Sequence, residues 1–91
     1  MEKDIEKYLR EKVKTSGGKA YKFVSPGNSG VPDRLVLLPG GRISFVELKA
    51  PGKTPTPLQI VQHKKINDLG FRVFVIDSKK GVDEFLRAIT E

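Results

Sequence analysis

Apolar residues near each end of the chain recur every three to four positions, the spacing that places side chains on one face of a helix. This pattern predicts a first helix over residues 2–15, ended by Gly17 and Gly18, and a closing helix near the C-terminus. The apolar positions are Ile5, Tyr8, Leu9 and Val13 in the first helix, and Val82, Phe85, Leu86 and Ile89 in the last.

Two apolar stretches in the middle of the chain, 34–38 and 42–48, are separated by Pro39, Gly40 and Gly41. Short apolar runs on either side of such a turn predict a β-hairpin. Each stretch is apolar on both faces, which is typical of strands covered by helices on both sides. We therefore expect this hairpin at the centre of a sheet.

One more helix follows the hairpin. Thr56 and Pro57 resemble an N-cap with proline at the first helical position, and the helix runs to about Leu69 before Gly70 ends it. Its inner face is expected to carry Leu58, Val61, Lys65 or Ile66, and Leu69. Two other strands are expected at 20–24 and 71–76, the latter buried, with loops at 25–30 and 50–55. The order α-β-β-β-α-β-α predicts an α/β fold.

Size and composition narrow the possibilities. The 91 residues, 37% of them apolar, suffice for one domain over 1–91, without a repeat, low-complexity tract or linker. The net charge of +6 is compatible with a polyanionic partner, and equally with ordinary solubility. No apolar run reaches the roughly 20 residues of a membrane span, and the N-terminus lacks a signal-peptide pattern. We expect a cytoplasmic protein of a bacterial or phage-infected cell.

The chain has no cysteine and a single histidine, His63. A disulfide, a thiolate zinc site and a histidine-rich metal site are therefore ruled out. Any metal must be held mainly by carboxylate and main-chain oxygens, which favour hard cations such as Mg²⁺ or Mn²⁺. His63 is expected to point outward and is assigned no role.

Three charged residues lie at one end of the predicted hairpin. Glu47 and Lys49 are two apart in a strand and so project to the same side. If Pro39–Gly41 forms a three-residue turn, Asp33 lies opposite Glu47, with Cβ atoms roughly 5 Å apart. A turn one residue shorter would move Asp33 to the other face. Two carboxylates this close fit a divalent cation, although an ordinary cross-strand ion pair with Lys49 remains an alternative.

Segments 30–35 (GVPDRL) and 45–50 (FVELKA) resemble the P-D and E-x-K motifs of the PD-(D/E)XK nuclease superfamily. More closely, most of the chain is similar to the stand-alone VRR-NUC domains of phages and bacteria. Each motif alone is weak, but their order on a predicted hairpin, with Gln59 opening the next helix, is fairly specific. The resemblance implies a restriction-endonuclease-like fold, a mixed central sheet flanked by helices.

The resemblance also implies roles for individual residues. Asp33, Glu47 and the main-chain carbonyl of Leu48 are expected to hold one or two Mg²⁺ or Mn²⁺ ions, and Lys49 to assist the attacking water. Glu6 of the first helix is expected to complete the metal shell, with Glu2 as the alternative. Gln59 is expected to support the site. The remaining candidates are possible phosphate contacts: Lys22, Asn28, Arg34 and Lys53.

The activity that the resemblance implies is endonucleolytic cleavage of DNA recognised by shape more than by sequence, as in Holliday-junction resolvases. Symmetric cleavage of a four-way junction needs two active sites, so a homodimer is expected. Ile60, apolar and outside the helix's expected inner face, is a slight indication of a partner contact. The alternatives are nicking of flaps or duplex DNA, and a non-catalytic nucleic-acid-binding module.

Overall fold

A computed structural model describes residues 2–90 of the chain. Three helices and four strands follow one another in the predicted order, which confirms the α/β fold class. The elements are α1 (Glu2–Thr15), β1 (Lys19–Lys22), β2 (Arg34–Leu38), β3 (Arg42–Leu48), α2 (Pro57–Asp68), β4 (Arg72–Ile76) and α3 (Lys79–Thr90).

The four strands form one mixed sheet in the order β1-β2-β3-β4. Strand β2 is antiparallel to both β1 and β3, whereas β4 runs parallel to β3. The helix α2 forms the crossover between β3 and β4. The hairpin β2–β3 is therefore central, as predicted. Strand β1 ends at Lys22 rather than at the predicted Val24, which is exposed as the chain enters the loop before Pro26.

The hairpin has the register that the candidate site requires. Arg34 faces Val46 and Leu38 faces Arg42, which leaves Pro39, Gly40 and Gly41 as a three-residue turn. Both glycines have positive φ angles, 85° and 73°, which side chains with a Cβ rarely adopt. Extending the register by one position sets Asp33 opposite Glu47.

The main core lies on one face of the sheet, beneath α1 and α3. The two helices contact each other and bury the apolar faces predicted from their periodicity. Ring packing between Phe74 and Phe85, with centroids 4.7 Å apart, links β4 to α3. The buried apolar residues are Ile5, Leu9, Val13, Ala20, Val36, Leu38, Val46, Leu48, Ile76, Val82, Phe85 and Ile89.

The opposite face of the sheet carries α2 and departs from the prediction. The expected inner face of α2 was wrong: Leu58, Val61 and Leu69 are exposed, and His63 is its buried residue. Strand β4, expected to be buried, has only Ile76 buried because it lies at the sheet edge. Exposed apolar side chains on this side of the molecule are Leu37, Ile43, Leu58, Ile60, Val61, Leu69, Phe71 and Val75.

Candidate active site

The ends of β2 and β3 bring Asp33 and Glu47 together. Asp33 directly precedes β2, and its Oδ2 accepts a hydrogen bond of 2.8 Å from the main-chain N–H of Leu48 in β3. Its own carbonyl accepts another, also 2.8 Å, from the N–H of Phe23. Asp33 is thus fixed between the two neighbouring chain segments, beside the carboxylate expected to act with it.

Glu47 is among the most buried side chains of the described residues, with a relative exposure of 2%. Because side chains alternate along a strand, it points away from the main core that Val46 and Leu48 enter, toward α2. Its Oε2 accepts a hydrogen bond of 3.2 Å from Gln59 Nε2 and lies 3.8 Å from Lys49 Nζ. The predicted association of Glu47, Lys49 and Gln59 is therefore present.

Gln59 is oriented by the start of α2. Thr56 is the N-cap, and its hydroxyl accepts a hydrogen bond from Gln59 N–H, while Gln59 Oε1 accepts one from Thr56 N–H at 2.9 Å. This reciprocal pair is a capping box. Because the amide oxygen must face the Thr56 N–H donor, the amide nitrogen is directed to Glu47. The helix cap therefore sets which end of Gln59 meets the carboxylate.

The loop before Asp33 is packed closely against the start of α2. Gly30 has a φ of 91°, and a Cβ at this position would lie only 2.9 Å from the carbonyl oxygen of Leu58. Glycine is thus required both by the backbone conformation and by the space available. The close approach holds α2, and Gln59 with it, over the ends of the two strands.

His63 is the site residue that the sequence reasoning missed. The residue is buried, 8% exposed overall, and its Nε2 lies 3.6 Å from Glu47 Oε1. The expectation that it points outward was wrong, because the apolar spacing of α2 was assigned to the wrong face. One signal was available: His63 lies four residues after Gln59, so the two share one face of a helix.

Burial dominates the electrostatics of this cluster. Together with the adjacent carboxylate of Asp33, it raises the pKa of Glu47 from 4.5 to about 8, against the opposing charge of Lys49. The charge of Glu2 makes a smaller contribution in the same direction. Burial also lowers the pKa of His63, as does the charge of Lys49, which favours the neutral imidazole. Without a cation, Glu47 therefore holds a proton at neutral pH.

A cleft opens from Asp33 toward the N-terminus of α1. Glu6 lines it, but its carboxylate forms ion pairs with Arg10, 2.5 Å, and Arg34, 3.3 Å. The carboxylate of Glu6, which is expected to complete a metal shell, is thus paired with two arginines. The charge of the alternative residue, Glu2, contributes to the raised pKa of Glu47. The full lining is Glu2, Lys3, Glu6, Lys22, Phe23, Asp33, Arg34 and Leu48.

The predicted phosphate contacts are placed unequally. Lys22 and Arg34 line the cleft, as noted. Asn28 is exposed in a turn, where its side chain donates to Ser25 Oγ at 3.0 Å and its N–H donates to the Ser25 carbonyl. Lys53 is exposed in the loop after β3, in a turn closed by its N–H to the carbonyl of Ala50. Asn28 thus makes turn contacts, and the structure brings neither Asn28 nor Lys53 into the lining of the cleft.

The donor set at the strand ends suits a hard cation. Glu47 Oε1 is buried without a hydrogen-bond partner among residues 2–90, beside a second carboxylate and the main chain of Leu48. Within the same residues, no group of three or more histidine, cysteine or acidic side chains is placed to hold a metal ion. Two carboxylates with a main-chain oxygen nevertheless fit Mg²⁺, which commonly binds through one or two carboxylates and keeps several waters.

Comparisons with known proteins match the chain to a phage protein named as a nuclease and to a solved VRR_NUC domain. The chain is 58% identical over 78 residues to "Putative nuclease p44" of Acyrthosiphon pisum secondary endosymbiont phage 1, covering 86% of this chain and 84% of that protein. A solved structure described as a VRR_NUC domain superposes with a TM-score of 0.88 at 39% identity, covering 94% of each chain. No protein-family model matches.

None of the helices in residues 2–90 has the length and hydrophobicity to cross a membrane.

Proposed function

This chain belongs to the VRR-NUC family, and from that premise we propose that it is a metal-dependent endonuclease that hydrolyses phosphodiester bonds in DNA. The observation that carries the proposal is the cluster of Asp33, Glu47 and Lys49 at the strand ends. A buried carboxylate beside a second one costs free energy unless it is protonated or bound to a cation. An ordinary structural site has no need of that arrangement, and a nuclease site does.

Asp33, Glu47 and the main-chain carbonyl of Leu48 would hold Mg²⁺ or Mn²⁺, with Glu2 or Glu6 as further acidic groups at the cleft. When bound, such an ion supplies Lewis-acid chemistry, since it lowers the pKa of a coordinated water and offsets phosphate charge. Glu47 would have to give up its proton to hold such an ion, because a ligating carboxylate must be ionised.

The protein's own side chains do the rest. Lys49, 16% exposed and on the same side of β3 as Glu47, is placed to offset the charge of a phosphate and to orient the attacking water. Gln59 holds Glu47 through its amide nitrogen, and the N–H of Leu48 holds Asp33. The carboxylates are thus set before substrate arrives, which reduces the reorganisation needed for reaction.

The surroundings of the site suit a nucleic-acid backbone. Lys3, Lys22 and Arg34 line the cleft, and the chain carries a net charge of +6. Such charges favour phosphate contacts that do not depend on sequence. Lys53 and Asn28, on exposed loops, are proposed as additional contacts outside the cleft. This supports binding governed by the shape of the DNA.

We propose further that the active form is a homodimer acting on branched DNA such as a four-way junction. On the side of the molecule that carries α2, Leu58, Ile60 and Leu69 are more than half exposed, and Phe71, between α2 and β4, is 43% exposed. Apolar side chains grouped on one side of a small protein are typical of an interface. The mass in solution, measured by light scattering, tests the dimer, and a strict monomer would argue against paired cleavage of a junction.

A gel assay on labelled four-way junction, flap and linear duplex tests the activity, with Mg²⁺, Mn²⁺ or EDTA in parallel. We expect cleavage with either metal, none with EDTA, and strong loss in Asp33→Asn and Lys49→Ala. Asp68→Asn is the matched control, since this carboxylate is exposed and paired with Lys64. Cutting of flaps or duplex in preference to the junction would support the nicking alternative. Binding without cutting under all conditions would contradict the proposal.

A further inference from the structure

Two buried polar atoms face each other behind the carboxylate cluster. Glu47 Oε1 and His63 Nε2 lie 3.6 Å apart, and neither has a hydrogen-bond partner among the described residues. The side chains are 2% and 10% exposed, so bulk water does not easily replace the missing partners. A buried polar group without a hydrogen-bond partner destabilises the folded state. A hydrogen bond between these two atoms would supply the partner that each of them lacks.

The arrangement of α2 shows what that state is. Gln59 and His63 lie one helical turn apart, and each faces a different oxygen of Glu47: Gln59 meets Oε2 at 3.2 Å, and His63 faces Oε1. Two donors on one rigid helix, directed at the two oxygens, would fix both the position and the rotation of the carboxyl group. Contacts in catalytic clusters are often long before the ligand binds and tighten afterwards.

We propose that His63 is a positioning residue that donates its Nε2–H to Glu47 Oε1 when the carboxylate is ionised in the metal-loaded site. The proposal rests on the metal site of the proposed function and assigns a task to a residue outside the sequence motifs. His63 touches neither substrate nor metal in this role. It acts through Glu47, as hydrogen-bonded neighbours of metal ligands commonly do.

Calorimetric titration with Mn²⁺ alone provides the first test. His63→Leu replaces the imidazole donor with an apolar side chain. We expect its Mn²⁺ affinity to fall by roughly 10–100-fold, the usual effect of losing such a neighbour. His63→Gln retains an N–H donor and should recover most of the affinity. Gln62→Leu changes the adjacent, partly buried residue of α2 and serves as the control expected to match wild type.

The second test reads the proton directly. His63 is the only histidine, so a long-range ¹H–¹⁵N spectrum of the tag-free protein contains one imidazole and needs no assignment. With saturating Mg²⁺, which is diamagnetic, we expect a neutral ring protonated at Nε2. A merely space-filling histidine has no reason to prefer that nitrogen.

The two tests separate this inference from the proposed function. An Mg²⁺-loaded wild type with its proton on Nδ1 would overturn the role of His63 even if DNA is cut. So would a folded His63→Leu protein that binds Mn²⁺ as tightly as Gln62→Leu. If His63→Leu does not fold, the spectrum of the wild type still decides. A wild type that cuts no DNA, but binds Mn²⁺ and shows the Nε2 proton, would refute the nuclease and leave the positioning role supported.

Discussion

Replacing Glu47 with glutamine should stabilise the metal-free protein at neutral pH, although it removes a proposed metal ligand. Because burial raises the pKa of Glu47 in the folded state, folding favours the protonated carboxyl. The contribution to stability is therefore complete below the unfolded-state pKa of about 4.5 and is lost as pH rises toward about 8. Glutamine resembles the protonated form at every pH and does not suffer this loss.

The size of the effect follows from the two pKa values. At pH 7 the unfolded chain is ionised, about 2.5 pH units above the ordinary value of 4.5, while the folded site with its pKa of about 8 still holds the proton. Each unit is worth about 1.36 kcal/mol, so Glu47→Gln should gain about 3 kcal/mol at pH 7. The gain should vanish near pH 4 and reach its full extent above pH 8.

Urea unfolding at 25 °C, followed by far-UV circular dichroism in EDTA, measures this difference between pH 4 and 9. The chain has no tryptophan, so circular dichroism is the practical signal. Equal m-values for the two proteins would show that the midpoints report stability alone. Glu84→Gln, an exposed position in α3, is the matched control and should follow wild type. A difference between Glu47→Gln and wild type that is absent at pH 7, or that does not change with pH, would refute the reasoning.

Three further predictions concern neighbouring parts of the molecule. Mg²⁺ at 100 times its dissociation constant should raise the free energy of unfolding of wild type, measured in urea, by about 2.7 kcal/mol. The same Mg²⁺ concentration should stabilise Asp33→Asn much less. Equal stabilisation of the two proteins would show that the metal binds elsewhere. Gln59→Ala should lose about 1 kcal/mol of stability, because the capping box is broken, and its cleavage rate should fall roughly 10–100-fold, because Glu47 loses its hydrogen bond. A variant that loses stability but cleaves as fast as wild type would show that Gln59 caps the helix without supporting the site. Gly18→Ala should be destabilised by about 1–3 kcal/mol in the same urea assay, because its Cβ would lie 2.2 Å from the Leu37 carbonyl oxygen, and wild-type stability would contradict that packing.

The sequence was informative where local rules act alone. The turn Pro39–Gly41 fixes the hairpin register, because two adjacent glycines with positive φ admit few turn geometries. Once the register is known, Asp33 must lie opposite Glu47, and strand alternation places Lys49 beside them. The helices α1 and α3 were equally predictable, since each buries one clear apolar stripe against the main core.

Helix α2 was not predictable in the same way. Its apolar residues do not mark its buried face, because the site beneath it is polar and its inward positions include Gln59 and His63. Periodicity assumes that burial follows hydrophobicity, which fails where a helix covers a cluster of charged groups. For the same reason His63, the buried partner of Glu47, was assigned to the outside. The ion pairs of Glu6 with arginines likewise depend on tertiary contacts that a sequence pattern does not contain.

The capping box at the start of α2 has a consequence for how the molecule moves. One amide group, that of Gln59, closes the first helical turn through Thr56 and holds Glu47 at the same time. Fraying of that turn must release the carboxylate, and an ordered carboxylate must oppose fraying. The two events are linked equilibria, so binding at the strand ends should slow hydrogen exchange of the amides around Thr56 and Gln59. The helix terminus thus serves as a built-in reporter of whether the site is occupied.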